Sequence, residues 1–415
     1  MRRIGLAALS ICALCACGGS SGGGGSVAPP VDDAGTTADA GTVVTPPDDA
    51  GTAPDAGPAD AGTADAGTGG GTTTPPADGG TVAGECEGIV PSSIGTPVTA
   101  RFADSNVRTG CFNAASDESG NVIFGQSIGA WEIFSSTGTL IGAPRENYDA
   151  FFPQGSGFEG VSHNTVPANF ERLAPDGSQQ VVTPLDEAVR IVARGWPDGL
   201  LTVGQATADD CLIRRFADNG SLIASGSTGV PASNGCQPAA AAAAPNGVVL
   251  AVLFTSTDAQ GRWFDAGMKP LTGFFHLTSV PPTDPDSSGT IISLRTLVNG
   301  DIAVQKDGVW IGILPANGGT TMKPAAAWMK EGHDFTIIRQ GRAYAVADQD
   351  FASTDPDPET ATLNTLDLVA TTGKTCGTVT FPGAAVLTTG ADGTVIGRSV
   401  AAGSCTRLWW TGLLK

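Results

Sequence analysis

The sequence is poor in histidine and in basic residues. It contains 3 histidines, and its 22 lysines and arginines are outnumbered by 41 aspartates and glutamates, which gives a formal net charge of −19. Such an acidic chain repels nucleic acid and anionic membrane surfaces, so neither class of partner is expected. The histidines, His163, His276 and His333, form no paired ligand spacing such as H-x-x-x-H. The sequence therefore predicts no metal site and no cofactor.

Long helical patterns are also missing. Between Cys86 and Lys415, no apolar pattern with a period of 3.6 residues lasts for about 12 residues or more. This absence disfavours an α/β fold. The region instead contains short apolar runs separated by glycine-containing turns, which is the pattern of an all-β protein.

The repeating unit is clearest at residues 189–223. Apolar runs at 189–193, 200–203 and 212–216 are separated by turn sequences, and the turn Asp218-Asn219-Gly220 leads into a fourth run. Asp-Gly and Asn-Gly sequences favour tight turns because glycine adopts positive φ without strain. The unit therefore predicts four antiparallel strands.

Two features of this unit recur along the chain. The first is a glycine turn before an apolar strand, and it is found at Gly120, Gly199, Gly247, Gly300, Gly341 and Gly393. The second is an apolar strand, often with Trp or Phe, that ends shortly before a glycine; six copies precede Gly138, Gly177, Gly220, Gly267, Gly318 and Gly373, and a seventh lies at 408–410. In the second unit, residues 155–160 replace the turn.

Successive turn glycines from Gly199 onward lie about 41 to 53 residues apart, which is the period of propeller blades. The repeat predicts a β-propeller of seven four-stranded blades, whose closed ring hides sheet edges. Since no fourth strand follows Thr411, residues 97–102 are expected to complete the last blade. The alanine run at 239–244 is expected on an innermost strand, where small side chains fit. Five tryptophans are expected in the core: Trp131, Trp263, Trp310, Trp409 and Trp410.

The chain begins with Met1-Arg2-Arg3 and an apolar run at 4–16, which together have the features of a secretory signal. The run is too short to span a bilayer. It ends in Leu14-Cys15-Ala16-Cys17, which resembles the lipobox of bacterial lipoproteins. That resemblance implies cleavage before Cys17 and diacylation of its sulfur, which anchors the protein in the lipid bilayer. The alternative is an ordinary signal peptide with an incidental cysteine.

Residues 18–84 contain no lysine, arginine or aromatic residue, and the triplet Asp-Ala-Gly occurs six times. Such a segment buries too little apolar surface to fold. The segment resembles the tethers of lipoproteins from high-GC proteobacteria, myxobacteria in particular. The expected organisation is a signal peptide at 1–16, a lipidated cysteine and disordered tether at 17–84, and a β-propeller at 85–415. Since no aspartate follows Cys17, the expected location in the cell envelope is the outer membrane.

Six cysteines follow Cys17, an even number that indicates three disulfides in an exported chain. Cys211 and Cys236 occupy the same two blade positions as Cys405 and Cys111, namely the start of a third strand and the approach to the next innermost strand. The repeat therefore predicts the pairs Cys211–Cys236 and Cys111–Cys405, and leaves Cys86–Cys376. The alternative joins Cys86 to Cys111 and Cys376 to Cys405.

Several motifs resemble catalytic or ligand-binding signatures but lack the required context. Residues 125–129 match G-x-S-x-G, and residues 155–160 match a dinucleotide fingerprint, yet no helix is expected after either. Acidic loops could offer oxygen ligands to calcium; their residues are Asp284, Asp286, Asp348, Asp350, Asp355, Asp357 and Glu359. None matches an EF-hand loop, and solvated surface charge explains them more simply.

Two functions are consistent with the sequence. The favoured one is a membrane-anchored envelope protein without catalytic activity, which binds a protein or a glycan through one face of the propeller. The alternative is a metal-dependent propeller hydrolase or lactonase. Such enzymes need acidic or histidine ligands on the innermost strands, whereas the expected innermost strands are apolar or small. A propeller fold alone does not decide between them.

Overall fold

Short apolar strands and glycine turns form the described part of the chain. The computed structural model describes residues 84–101, 113–125, 131–144, 148–162, 168–185, 188–195, 199–207, 210–231, 236–255, 257–280, 290–348, 364–390, 392–399 and 406–415. The helix found in these ranges is a single 3-10 turn at Arg339–Gly341. No helix in the described ranges is long and apolar enough to cross a membrane.

The strands are grouped by blade. A single strand, β1 (Val98–Arg101), comes first. The first blade contains β2 (Asn113–Ser116), β3 (Val122–Gly125), β4 (Trp131–Phe134) and β5 (Leu140–Gly142). The second contains β6 (Tyr148–Gln154), β7 (Gly157–Ser162), β8 (Asn169–Leu173) and β9 (Gln179–Pro184). The third contains β10 (Ala188–Arg194), β11 (Leu200–Thr207), β12 (Asp210–Phe216) and β13 (Leu222–Pro231).

The remaining blades follow the same order. The fourth contains β14 (Pro238–Ala243), β15 (Val249–Phe254), β16 (Asp258–Phe264) and β17 (Phe275–Ser279). The fifth contains β18 (Ile292–Thr296), β19 (Ile302–Lys306) and β20 (Val309–Leu314). The sixth contains β21 (His333–Ile338), β22 (Ala343–Asp348), β23 (Thr365–Ala370) and β24 (Thr375–Thr380). The last contains β25 (Ala384–Thr389), β26 (Val395–Ser399) and β27 (Thr406–Trp410).

Seven separate antiparallel sheets form a ring, and the predicted β-propeller is confirmed. Within a blade the strands pair in chain order from the innermost to the outermost, as in the third blade, where β10 pairs with β11, β11 with β12 and β12 with β13. From the first blade to the fifth, the innermost strands of successive blades lie beside one another.

The ring is closed by the N-terminal strand. β1 pairs with β27 in an antiparallel register that runs from Val98 opposite Trp409 to Arg101 opposite Thr406. The last blade thus has four strands, and the prediction that residues 97–102 complete it is confirmed. The hydroxyl of Ser116 in the first blade also donates to Asp392 Oδ1 of the last blade at 2.6 Å.

The fifth blade has three strands instead of the expected four, in a stretch of chain, 290–348, that is described throughout. Ile313 of β20 forms an isolated bridge with Lys323, which lies outside the strands. Ile313 and Lys323 exchange two backbone hydrogen bonds, at 2.9 and 2.8 Å, and the pairing extends no further. The repeat pattern did not predict this interruption.

Most turn glycines have the positive φ that the pattern predicts, for example Gly247 at 79°. The turn at 265–269 differs, because Met268 and not Gly267 has positive φ, at 60°. Asp265 Oδ1 accepts the amide hydrogens of Gly267 and Lys269 at 2.9 and 2.8 Å. This turn places the fully buried Met268 in the core between the third and fourth blades.

The core consists of layers between neighbouring blades. The alanine run lies on the innermost strand β14, as predicted, and its side chains alternate between two layers: Ala240 and Ala242 pack towards Trp263 and the fifth blade, whereas Ala241 and Ala243 pack towards the third. Small side chains fit here because the blades converge at the centre of the ring. The five tryptophans predicted for the core are all buried.

Candidate functional site

The segment that begins at Gly84 is fastened to one end of the propeller disc. A disulfide joins Cys86 to Cys376, the second residue of β24, with an S–S distance of 2.06 Å. Ile89 is 1% exposed and packs in the core cluster of the sixth and last blades. We call residues 84–97 the attachment segment.

Arg339 connects the attachment segment to the C-terminus. Its Nε and Nη2 donate to the carbonyl oxygen of Ile89 at 3.3 and 3.2 Å, and its Nη1 donates to that of Lys415 at 2.7 Å. Its backbone amide donates to the carbonyl of Leu414 at 3.1 Å. Burial and the charge of the neighbouring Arg342 lower the pKa of the Arg339 guanidinium from its ordinary value.

The backbone at Arg339 is in an uncommon conformation. Arg339 and Gln340 both have φ of 54°, a region that residues other than glycine rarely occupy. Each such residue costs about 1 kcal/mol or more. The hydrogen bonds to both ends of the domain hold this turn in place, and Arg342 adds a further bond to the carbonyl of Glu87 at 3.2 Å.

These contacts define an attachment end of the disc. Arg339 lies between the first and second strands of the sixth blade, and Cys376 follows the turn between its third and fourth strands. Strands in a blade alternate in direction, so both positions lie at the same end. The second disulfide, Cys211–Cys236, lies at the opposite end, where β12 begins and the chain enters β14.

Four of the predicted site residues are cysteines that form two disulfides, Cys86–Cys376 and Cys211–Cys236. Cys17, Cys111 and Cys405 lie outside the described residues, so lipidation and the third pair stay predictions. The alternative pairing of Cys86 with Cys111 and Cys376 with Cys405 is not the arrangement found for Cys86 and Cys376.

The two histidines among the described residues lie in different blades, on β17 and β21. His163 lies outside the described residues. His276 has a side chain that is 57% exposed, and its Nδ1 lies 3.4 Å from Asp258. His333 Nδ1 lies 2.9 Å from the carbonyl oxygen of Glu331.

The remaining sequence motifs lie in strands and turns or outside the described residues. Residues 155–156 form the turn between β6 and β7, and residues 157–160 lie on β7. Gly125 ends β3, and residues 126–129 lie outside the described residues. Of the acidic loop residues, only Asp348 is among those described. In the described part of the chain, no three His, Cys, Asp or Glu side chains are grouped so that they could hold a metal ion.

Sequence reasoning missed a buried polar network in the second blade. The carboxylate of Glu171 on β8 accepts hydrogen bonds from Tyr148 at 2.7 Å, Ser162 at 2.6 Å and Gln179 at 2.7 Å. These donors belong to β6, β7 and β9, so one carboxylate connects all four strands. The signal was available in part, since Glu171 is a charged residue that directly follows an apolar residue, Phe170, in a predicted strand.

A second missed contact joins two innermost strands. Arg295 on β18 donates from Nε and Nη2 to the carboxylate of Asp334 on β21, at 2.8 and 2.5 Å. Both side chains are about one third exposed, so this bidentate pair contributes orientation more than stability.

Comparisons with known proteins find structural similarity but no family. No family model matches the chain, and no curated protein matches it. Its structure is similar to that of virginiamycin B lyase from Staphylococcus aureus, with 10% identity, a TM-score of 0.47 and coverage of 76% of this chain and 98% of that one. It is also similar to the β-propeller domain of Cps50 (Swd1) from Myceliophteria thermophila, with 11% identity, a TM-score of 0.45 and coverage of 75% and 99%. It is also similar to BamB from Moraxella catarrhalis, with 13% identity, a TM-score of 0.36 and coverage of 73% of this chain and 85% of that one.

Proposed function

We propose that this protein is a lipid-anchored, non-catalytic binding module of the bacterial cell envelope, located at the outer membrane. In this proposal residues 1–16 are the signal peptide, Cys17 carries the acyl chains, 17–84 form the tether and 85–415 form the binding domain. The propeller binds another envelope protein or a glycan.

The observation that carries this proposal is the fastening of the attachment segment to one end of the disc. The Cys86–Cys376 disulfide and the Arg339 hydrogen bonds hold the attachment segment there. A tether that joins the domain at this end leaves the opposite end free. We therefore assign partner binding to the end that contains the Cys211–Cys236 disulfide.

The lipid anchor is tested by labelling growing cells with a palmitate analogue that can be detected after purification. The full chain is expected to incorporate the label and to sediment with membranes, and Cys17→Ser is expected to do neither. Cys15→Ser is the matched control, because residue 15 leaves with the signal peptide and labelling should persist. Equal labelling of the Cys17→Ser variant would refute the anchor.

The binding role is tested separately from the anchor. The full chain is incubated with purified envelope fragments, with and without protease treatment of the fragments, and sedimented. Saturable binding is expected, and its sensitivity to protease distinguishes a protein from a glycan partner. The same preparation is assayed for ester and lactone hydrolysis with calcium and with chelator. Stoichiometric bound metal together with chelator-sensitive turnover would overturn the non-catalytic proposal in favour of the hydrolase.

A further inference from the structure

A buried guanidinium lies at the interface between the last and first blades, and two of its N–H groups have no acceptor among the described residues. Arg407 on β27 is 3% exposed, and its Nε and Nη2 have no hydrogen-bond partner in the described part of the chain. These two atoms form the edge of an arginine that binds carboxylates and phosphates in a bidentate manner. Arg295 uses the same two atoms to bind Asp334.

The residues around Arg407 add positive charge and a further donor. Arg398 lies directly opposite Arg407 on β26. Trp409, two residues along β27 and so on the same face of the sheet, is fully buried, and its Nε1 also has no acceptor among the described residues. The Trp409 ring meets Phe134 of the first blade at a centroid distance of 6.3 Å, which places this face against that blade.

Arg407 remains a cation at neutral pH in this surrounding. Burial, with a contribution from the charge of Arg398, lowers the pKa of Arg407 to about 9. Burial of a charge without a partner of opposite charge is unfavourable. The facing sheet of the first blade has one buried carboxylate, Glu132 on β4, but that side chain has a polar partner of its own.

We propose that Arg407 binds a small oxyanion of the carboxylate or phosphate class through its Nε and Nη2. In this site Arg398 supplies a second positive charge and Trp409 a further N–H donor on the same face. An oxyanion suits the site because its two oxygens match the spacing of the guanidinium edge, and its charge offsets the cost of burial. The site lies within the propeller and does not depend on the lipid anchor.

Thermal unfolding of the full chain tests the site. Inorganic phosphate and acetate are titrated separately, each against sodium chloride at matched ionic strength. A ligand that binds only the folded state raises the unfolding temperature with concentration. We expect a saturable rise with at least one of the two anions, and the responding anion identifies the class. A wild-type response equal to that of sodium chloride would overturn the proposal.

Substitutions distinguish this site from general anion effects. Arg407→Met is expected to abolish the response, and Arg407→Lys to weaken apparent binding about tenfold or more, because lysine keeps the charge but lacks the planar edge. Arg295→Met is the control, because Arg295 already donates to the carboxylate of Asp334. Its unfolding temperature should rise with the anion as in the wild type. An undiminished response of Arg407→Met would refute the assignment. If that variant does not fold, the number of bound anions is measured by equilibrium dialysis of the responding anion against the wild-type chain. We expect one anion per chain, and any other number contradicts the proposed site.

Discussion

The phenolic hydroxyl of Tyr148 donates to the buried carboxylate of Glu171 at 2.7 Å. This hydrogen bond joins the first and third strands of the second blade, β6 and β8. Tyr148→Phe removes this bond and leaves the ring in place. Hydrogen bonds to charged groups contribute about 1.5–3 kcal/mol, so we expect a loss of about 2 kcal/mol in the free energy of unfolding, measured in urea. Tyr344→Phe is the matched control, since the Tyr344 hydroxyl accepts a neutral bond from the Val298 amide at 3.1 Å. Equal losses in both variants would contradict a special role for Glu171.

The two described disulfides are expected to differ in their contribution to stability. Cys86 and Cys376 are 290 residues apart, and Cys211 and Cys236 are 25 residues apart. The loop-entropy relation gives about 5–6 kcal/mol for the first and about 3–4 kcal/mol for the second. Double serine variants of each pair, compared by urea unfolding, should show the larger loss for the first pair. The reverse order would show that native-state effects dominate.

The pKa of Asp117 predicts a pH dependence of stability. Burial raises the pKa of this carboxyl above its ordinary value of 3.8, and the charge of Asp392 adds to the increase. A raised acid pKa favours the folded state while the group is protonated, so this stability is present below pH 3.8 and is lost as the pH rises through the folded-state pKa. Asp117→Asn should remove this fall, as followed by unfolding between about pH 4 and 7.

Asp176 provides the control with the opposite sign. Hydrogen bonds from Ser178 lower the pKa of the exposed Asp176 carboxyl below 3.8. Its contribution is therefore present above pH 3.8 and is lost as the pH falls through the lower value. If Asp176→Asn also removed the fall in stability between about pH 4 and 7, the assignment to Asp117 would be wrong.

Gly226 lies where two blades approach closely. A Cβ at this position on β13 would lie 1.8 Å from the carbonyl oxygen of Met268 in the fourth blade. Gly226→Ala must push backbone apart, and we expect destabilisation by about 2–4 kcal/mol in urea unfolding. Gly273→Ala is the control, because no atom lies within 4 Å of a Cβ built there. A near-neutral Gly226→Ala variant would contradict the close packing of these blades.

The features that follow from local pattern could be predicted from the sequence. Alternating apolar residues and turn glycines specify strands and their order, and the missing strand after Thr411 pointed to residues 97–102. The loss of the fourth strand in the fifth blade and the shifted turn at Met268 are local departures inside an otherwise regular repeat. Both changes leave the period of the repeat intact, so the pattern does not reveal them.

The side-chain networks could not be predicted in the same way. Glu171 and Tyr148 are 23 residues apart, and Arg295 and Asp334 are 39 residues apart. Their contacts depend on the register of several strands and on how neighbouring blades pack. The sequence shows only a charged residue in a strand, and such a residue is more often exposed than buried.

The position of the Cys86–Cys376 disulfide also determines how the domain bears mechanical load. Cys86 precedes β1, the strand that closes the ring. A pulling force applied to the chain before Cys86 reaches the sixth blade through the covalent sulfur bridge, and strand β1 lies beyond that bridge. The hydrogen bonds between β1 and β27 are thus shielded from tension, and the ring can remain shut while the chain before it is stretched.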